Sequence, residues 1–521
     1  MPGLYAVDGG VMAKVAELLA VAPPPPAGAR FALHVTDTEL AIWRDRAVNG
    51  PYKTLGDVKP NSQGDWDRIV SNKNGVSSTS GIYSRSSPEP ANTSNQFFAN
   101  NTHNINARRG RDAAFWHLVR WPSESTSAAA TTAKTWLLNQ VAAINWTDRA
   151  IWPLGHFGDT NPGFQIVMWL GSVVHIYEYL RASEREGYGT IFTASERTSV
   201  LTWLYHAADY WQNDPTAEFV AKFSGSSQRE LASPSWTSRS NSTQRHAFKF
   251  GNGNNHYHYY RHSNNRWAEI VKLVAMVGAI LTSEGFTVPT GASPGRTVDF
   301  LYNSGYWWLR EHLVYTMGPA GHHGDSNRWS STNAVKAWTY NSATLAAALY
   351  CADILARMGD MRAYQFATRS GGGISGNACQ TGDPDKSLLW AAEHHMGYVA
   401  ELHDHYGTDD NGRLNNDYKI KSWQRAAGDE RWYNRDFGVG IFNLHFKSDL
   451  LRRCIERDPG GGFSDIPGGY RPPTSSSSSG YGNTVDIGLM GEATMFPGVL
   501  FQFAHPDRPI SQWPNPYPVV V

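Results

Sequence analysis

Apolar residues recur at helical spacing through most of the chain between residues 112 and 406. The clearest run comprises Trp267, Ile270, Val271, Val274, Val277, Ile280 and Leu281. Because its members are three or four residues apart, they occupy one face of a helix that packs against a core. Similar patterns predict helices over residues 112–120, 127–144, 162–182, 195–212, 264–284, 297–317, 334–358 and 387–406.

Capping residues mark the ends of several predicted helices. The segment Asp159-Thr-Asn-Pro162 places a proline at the first helical position, where a backbone N–H is not needed. The segment Thr193-Ala-Ser-Glu196 fits a capping box, in which the two outer side chains bond each other's backbone N–H groups. Ser263 or Asn264 can cap the next helix, and Gly285 stands where its C-terminal cap is expected.

The predicted helices are joined by polar, glycine-rich loops, and strands do not alternate with them. This pattern predicts a mainly α protein of antiparallel helical hairpins, arranged as a bundle, a solenoid or a closed α/α toroid. No fixed-period repeat indicates a regular solenoid. Near the C-terminus, residues 437–446 and 497–503 are predicted as short strands or irregular segments.

The first part of the chain has a different composition. Residues 50–107 are rich in Ser, Asn, Gly and Pro, which is typical of a long covering loop. We therefore expect residues 1–110 to form a lead-in and a covering loop, and residues 111–521 to form the helical domain. The two parts are expected to belong to a single domain overall.

Charge and cysteine content narrow the possible partners. The 521 residues include 46 Lys and Arg and 46 Asp and Glu, so the formal net charge is zero. This balance argues against nucleic acid or an anionic membrane as the main partner. Three cysteines allow one disulfide at most and lack the spacing of a metal site. No apolar run reaches the roughly eighteen residues that a membrane helix needs.

The segment before the helix at 264–284 concentrates residues that carry chemistry. Residues 250–269 contain five asparagines, three histidines, three tyrosines and two arginines. Such a loop exposes hydrogen-bond donors and bases while the apolar helix behind it holds them in place. The alternative interpretation is a polar loop whose asparagines only cap the helix.

Residues 321–340 form a second polar segment that enters a helix. Lys336 and Tyr340 are four residues apart and therefore share a helix face, with Asn333 near the same edge. An ammonium beside a phenol lowers its pKa, which makes the tyrosine more useful as a base. The alternative is a solvated lysine beside a half-buried tyrosine.

These motifs resemble a known group of enzymes. Asn254-Asn-His256 is similar to the Asn-Asn-His element of alginate-lyase-like polysaccharide lyases, which have α/α toroid folds. Ser263-Asn-Asn-Arg-Trp267, followed by a long apolar helix, resembles the place where that element normally lies. Tyr340 and the alanine-rich helix after it resemble the segment that carries the family's catalytic tyrosine. The resemblance extends over about residues 110–410.

The resemblance implies an (α/α) toroid, an incomplete barrel, that cleaves glucuronan or alginate by β-elimination without a cofactor. In such lyases an asparagine neutralises the uronate carboxylate, a histidine or tyrosine removes the C5 proton, and a tyrosine protonates the leaving O4. The implied catalytic residues are Tyr340, His256, Asn255, Asn264, Asn265, Arg328 and Lys336. The implied substrate-binding residues are His258, Tyr260, Arg266, His322, His323, Gln165 and Trp338.

The chain departs from the family pattern at two points. If Asn264 and Asn265 form the catalytic pair, Arg266 stands where the family has histidine. The base must then be His256, His258 or His262, or else Tyr340 acts as both base and acid. The family's arginine before the tyrosine is replaced by Asn333, and Arg328 or Lys336 must substitute for it.

The residue types also fit this chemistry on physical grounds. Removing a proton next to a carboxylate creates negative charge, so the site needs donors or cations that neutralise it. It also needs a base that works near the ambient pH, and an acid close to the glycosidic oxygen. Asparagine, arginine or lysine, histidine and tyrosine on the two polar segments supply these parts.

The resemblance further implies an acidic polysaccharide as the substrate and a secreted or periplasmic location. Residues 10–22 lack the basic start and the cleavage pattern of a signal peptide. If the protein is exported, we therefore expect its signal to be absent from this sequence.

Other functions are possible for the same residues. A glycoside hydrolase on an α/α toroid needs two opposed carboxylates, for which Glu269, Asp325 and Glu393 are the candidates. A glycan-binding protein needs only the aromatic cleft, which Gln165 and Trp169 can line, although core packing explains Trp169 equally well. His256, His258 and His262 are a third possibility as zinc ligands, but their spacing matches no common site.

Overall fold

The computed structural model describes residues 40, 41, 44, 47, 65–83, 102–147, 162–222, 265–288, 296–313, 317, 334–368, 384–399, 405–408, 414–420 and 445–448. Its helices are α1 (Asp65–Asn74), α2 (Thr102–Arg120), α3 (Ser127–Ala143), α4 (Pro162–Arg185), α5 (Ala194–Lys222), α6 (Asn265–Ser283), α7 (Val298–Glu311), α8 (Ala334–Arg357), α9 (Arg362–Gln365) and α10 (Leu388–Val399). Strands β1 (His405–Thr408) and β2 (Leu414–Ile420) pair as an antiparallel hairpin. The described part is therefore mainly helical, as the apolar spacing predicts.

Local sequence signals define several helix ends. The capping box is confirmed, because the Thr193 N–H donates to Glu196 Oε2 over 2.8 Å and the Glu196 N–H donates to Thr193 Oγ1 over 3.2 Å. Helix α4 begins at Pro162, as the proline signal predicts. Gly285 follows the end of α6 with φ of 63°, a left-handed conformation that glycine adopts without strain.

The predicted covering loop at 50–107 is wrong for part of its length. It contains α1, and α2 begins at Thr102, within the expected loop. Tertiary contacts stabilise α1: Ile69 is fully buried, and the Asn72 amide donates to Asp112 Oδ2 of α2 over 2.6 Å. Short, polar helices of this kind depend on packing more than on their own sequence. Helix α2 also runs across the expected domain boundary at 110–111.

The even-numbered helices form the centre of the fold. Helices α2, α4, α6, α8 and α10 pack in that order, each against the next. Helices α3, α7 and α9 each pack against the even-numbered helices before and after them, and α5 packs against α3 and α6. Residues 169–180, 268–281 and 344–358 are buried without interruption. A helix that is buried on all sides lies inside a protein, so α4, α6 and α8 are central.

Helices α2 and α4 run parallel. Gly110 lies against the side chain of Ile176, and five residues further along α2 the ring of Phe115 lies 5.3 Å from that of Tyr179. The contacts advance in the same direction along both helices, which requires a parallel arrangement.

Helix α7 runs antiparallel to α6. A methyl group at Gly278 would overlap the backbone of Tyr302, whereas Gly305 lies against Ala275, earlier in α6. The contact moves backwards along α6 as it moves forwards along α7. Glycine is required at position 278 because the two backbones approach too closely for any side chain.

Helix α7 is antiparallel to α8 as well. Gly305 lies against Cys351 of α8, and Asn303, earlier in α7, accepts a hydrogen bond of 2.7 Å from Arg362, which begins α9 five residues beyond the C-terminus of α8. Since α7 opposes both of its neighbours, α6 and α8 are parallel to each other. Helix α4 is also parallel to α6, because Arg181 near its C-terminus forms an ion pair with Glu284, just after the C-terminus of α6.

Two smaller sequence expectations concern the core and the C-terminus. Trp169 has no exposed surface and contacts the rings of Tyr83, Trp136 and Trp203, so it packs in the core. The segments expected as strands at 437–446 and 497–503 lie outside the described residues, except His445 and Phe446. None of the described helices is both long enough and apolar enough to cross a membrane.

Candidate functional site

The lyase candidates that the structure describes all lie in the N-terminal turns of three central helices. Gln165 is in the first turn of α4, Asn265 and Arg266 begin α6, and Tyr340 is in the second turn of α8. Lys336 and Trp338 precede Tyr340 on α8. Because α4, α6 and α8 are parallel neighbours, these positions belong to the same end of the helix row.

Lys336 and Tyr340 are on one continuous helix, four residues apart, so the predicted shared face is present. The remaining candidates lie outside the described residues: His256, Asn255, Asn264, Arg328, His258, Tyr260, His322 and His323. The three histidines proposed as zinc ligands lie outside them too. Among the residues that the structure describes, no group of three His, Cys, Asp or Glu side chains is placed to hold a metal ion.

A buried polar cluster lies where α4, α6 and α8 meet. His175 Nδ1 lies 3.0 Å from Glu178 Oε2, and His175 Nε2 lies 2.9 Å from the hydroxyl of Tyr350. Histidine and tyrosine have no exposed surface, and Glu178 retains 5%. With the carboxylate accepting from Nδ1–H, the other ring nitrogen accepts from the tyrosine O–H. Burial and the neighbouring Glu178 carboxylate raise the pKa of Tyr350 well above its usual value, so the phenol keeps its proton.

A second buried pair lies directly beside this cluster. Lys272 forms an ion pair with Glu269, one turn earlier on α6, and its ammonium lies 5.2 Å above the ring of Tyr350. Glu269 has no exposed surface and Lys272 only 2%. Burial raises the pKa of Glu269 to about 7, although Lys272 acts to lower it. Oε1 of this carboxylate has no hydrogen-bond partner among the described residues.

Glu269 and Lys272 follow Asn265 by four and seven residues, which is the spacing of one helix face. Side chains on an α-helix point back towards its N-terminus, so the charged ends lean towards the end that carries Asn265. The Glu269–Lys272 pair therefore lies on α6 between the buried cluster and the N-terminal end of that helix.

The opposite end of the central helices has a different polar network. Arg181 donates from Nε to Glu284 Oε1 over 2.9 Å and from Nη2 to Glu284 Oε2 over 3.0 Å. Arg185 donates to Glu284 Oε1 over 2.8 Å, and Glu184 accepts from the Phe192 N–H over 2.6 Å. Each oxygen of Glu284 is satisfied, so this network joins α4 to α6 and leaves no oxygen of that carboxylate for a ligand.

The three carboxylates proposed for a hydrolase have separate environments. Glu269 is buried beside Lys272, and Glu393 on α10 accepts a hydrogen bond of 2.6 Å from Ser448 Oγ. Asp325 lies outside the described residues. His394, next to Glu393, has its Nδ1 2.9 Å from the carbonyl oxygen of Trp390, one turn earlier.

Sequence reasoning missed His175, Glu178, Lys272 and Tyr350. A signal was present, because each stands within a strongly apolar helical run where a polar side chain must find a buried partner. Lys272 and Glu178 find partners one turn away on their own helices, whereas Tyr350 and His175 meet across two helices and are 175 residues apart.

No family model, curated protein or solved structure matches this chain. The geometry at the two ends of the parallel helices α4, α6 and α8 is consequently the basis for assigning a function.

Proposed function

We propose that this protein is a polysaccharide lyase that cleaves a uronic-acid polymer, glucuronan or alginate, by β-elimination. We further propose that its helices form an (α/α) toroid. The packing order supports this architecture, because a row of even-numbered helices with odd-numbered helices packed between successive members is the arrangement of stacked helical hairpins.

One observation carries the functional proposal: α6 and α8 are parallel neighbours that begin at Asn265 and Ala334. The two polar segments identified in the sequence, 250–269 and 321–340, run into these N-termini. A helix N-terminus favours negative charge, because its first N–H groups have no partner within the helix. An anionic sugar polymer is therefore the class of ligand that suits a binding site at the N-termini of α6 and α8.

The proposed roles follow from the chemistry of elimination. Asn264 or Asn265, with Arg328 or Lys336, neutralises the uronate carboxylate, so that the C5 proton becomes acidic enough to remove. His256 or Tyr340 accepts that proton, and Tyr340 donates a proton to the leaving O4. His258, Tyr260, Arg266, His322, His323, Gln165 and Trp338 are proposed to bind neighbouring sugars.

The test is incubation of the purified protein with glucuronan, polymannuronate, polyguluronate and neutral polysaccharides. Elimination creates a C4=C5 double bond next to the carboxylate, so ultraviolet absorbance should rise together with the number of new reducing ends. His256→Ala and Asn264→Ala should each reduce this rate by about 10²–10³. Absence of new absorbance with every polyuronate would contradict the proposal.

A glycoside hydrolase is the second candidate, and Glu269 is the observation that favours it. A buried carboxyl whose pKa is raised to about 7 can act as a general acid. The same incubation separates the two candidates, because hydrolysis produces reducing ends without ultraviolet absorbance. In that case Glu269→Gln should abolish cleavage.

A further inference from the structure

The segment that follows α3 alternates between buried and exposed residues. Ile144 and Trp146 retain 3% and 1% of their exposed surface, whereas Asn145 and Thr147 are exposed. Ile144 has extended backbone angles, and successive side chains of an extended chain point to opposite sides. The segment therefore presents Asn145 and Thr147 to solvent.

The two buried residues attach this segment to α5. The indole N–H of Trp203 donates to the carbonyl oxygen of Ile144 over 2.9 Å. The ring of Trp146 lies 5.7 Å from that of Trp203 and 6.4 Å from that of Trp211. Because these contacts hold Ile144 and Trp146 in the core, the residues that alternate with them remain at the surface of the folded protein.

The segment also contains a modification motif. Asn145-Trp-Thr147 is an N-glycosylation acceptor sequence, which requires an asparagine, any residue except proline, and then a serine or threonine. Asn145 Oδ1 accepts hydrogen bonds from the Thr147 hydroxyl over 2.7 Å and from the Thr147 N–H over 3.1 Å. Both bonds use the amide oxygen, and Nδ2 donates to no acceptor among the described residues. The nitrogen that receives a sugar is therefore unengaged, on an exposed side chain.

We propose that Asn145 is an N-glycosylation site, which takes an oligosaccharide from a lipid-linked diphosphate donor during export. In this transfer the bond between sugar C1 and the diphosphate oxygen breaks, and a bond between C1 and Nδ2 forms. One amide proton passes to solvent, and the lipid diphosphate is the leaving group. The glycan adds a bulky, solubilising group to the surface. The inference requires that the chain enter a compartment that contains the transferase, and it does not depend on the lyase assignment.

Other asparagines of the chain provide comparisons. Asn139, one helix turn before the end of α3, lacks the motif, and its Nδ2 donates to the carbonyl oxygen of Ser78 over 2.9 Å. It should remain unmodified. Asn92, Asn100 and Asn241 begin the same motif but lie outside the described residues. A measurement of total glycan therefore does not test Asn145, and the modification must be read at each position separately.

The test is site-resolved mass spectrometry of the full chain, directed by a secretion leader through the secretory pathway of yeast. Peptide N-glycosidase in heavy-oxygen water converts each glycosylated asparagine into labelled aspartate, and a sample without the enzyme corrects for spontaneous deamidation. We expect the label at position 145 and none at position 139. A secreted wild-type protein without label at position 145 overturns the inference.

Two substitutions at Thr147 separate the motif from the exposure of Asn145. Thr147→Ala keeps the asparagine and removes the hydroxyl that the motif requires, so the label at position 145 should fall to the level of the sample without enzyme. Thr147→Ser, the matched control, retains a hydroxyl and should retain the label. Equal labelling of Thr147→Ala and the wild type overturns the inference.

Cell-free translation with microsomes from a glycosylating cell covers the case in which the chain is not secreted. Transfer of a glycan slows the chain in denaturing electrophoresis and does not require recovery of the folded protein. The wild type should carry one glycan more than Asn145→Gln, and the difference should disappear after glycosidase treatment. Equal mobility of the two chains overturns the inference.

Discussion

The two ends of the central helices use buried charge in different ways. At the C-terminal end, Glu284 accepts three hydrogen bonds from Arg181 and Arg185, and both of its oxygens are satisfied. Towards the N-terminal end, Glu269 pairs with Lys272, and one of its oxygens has no donor among the described residues. Both carboxylates are on or next to α6, so the difference comes from the side chains that surround each of them.

This difference distinguishes charged groups that stabilise the fold from charged groups that are available for function. A fully satisfied ion-pair network joins two helices and has no capacity for a ligand. A buried carboxyl with a raised pKa and an unsatisfied oxygen reduces stability at neutral pH, and such groups are concentrated at functional sites. We therefore expect variants at the C-terminal end to change stability at all pH values, and variants towards the N-terminal end to change activity or the pH dependence of stability.

The largest expected effect concerns two tyrosines on α8. Tyr340→Phe should reduce uronate cleavage by about 10² or more while polymer binding persists, because only the proton-transferring hydroxyl is removed. Tyr350→Phe is the matched control, since its hydroxyl lies 2.9 Å from His175 in the core. It should cost about 1–3 kcal/mol of stability and leave turnover of the folded protein intact. Steady-state kinetics and urea unfolding measure the two effects, and an unimpaired Tyr340→Phe enzyme would remove the assignment.

The next effect is the pH dependence that Glu269 gives to stability. Its pKa is raised from 4.5 to about 7, so the folded state holds a proton that the unfolded state releases within this range. The stabilisation is complete below about pH 4.5 and is lost as the pH rises through about 7, a change of about 3 kcal/mol.

Glu269→Gln should remove this dependence. The difference in unfolding free energy between wild type and variant, measured by urea denaturation across the pH range, isolates Glu269 from other titrating groups. A constant difference at all pH values would mean that the carboxyl titrates normally.

A smaller loss is expected at the C-terminal end. Glu284→Ala should destabilise the fold by about 2–3 kcal/mol, because it leaves two largely buried guanidinium groups without their carboxylate. Glu124→Ala removes an exposed partner of Arg120 and should cost less than about 1 kcal/mol. Thermal and chemical denaturation give both values, and equal losses would show that the buried network contributes no more than a surface pair. Uronate selectivity should be unchanged in both variants.

The smallest effect concerns the start of α7, which lies at the same end as Glu284. Thr297 Oγ1 accepts a hydrogen bond of 3.1 Å from the Phe300 N–H and caps the helix. Thr297→Ala should lower the unfolding free energy by about 1 kcal/mol, whereas Thr297→Ser should retain most of it. A serine variant as unstable as the alanine variant would assign the loss to packing of the threonine methyl group.

Local signals predicted the helices well where the determinants were adjacent in sequence. Helix α4 begins at Pro162 as expected, and the Thr193–Glu196 capping box forms as expected. Helix α1 was missed because its stability comes from contacts with α2, such as that between Asn72 and Asp112, which sequence periodicity does not reveal. The candidate positions on α4, α6 and α8 were predicted by motif, and their common end emerged only from the helix directions.

The sequence by itself determined the long apolar helices, because apolar spacing, capping residues and glycine preferences act within a few residues of one another. It also identified the two polar segments that enter α6 and α8. Only the tertiary structure decided that these helices are parallel neighbours, and that His175, Lys272 and Tyr350 meet in the core. Such contacts join residues up to 175 positions apart. Their formation depends on how whole helices pack, and no local pattern specifies that packing.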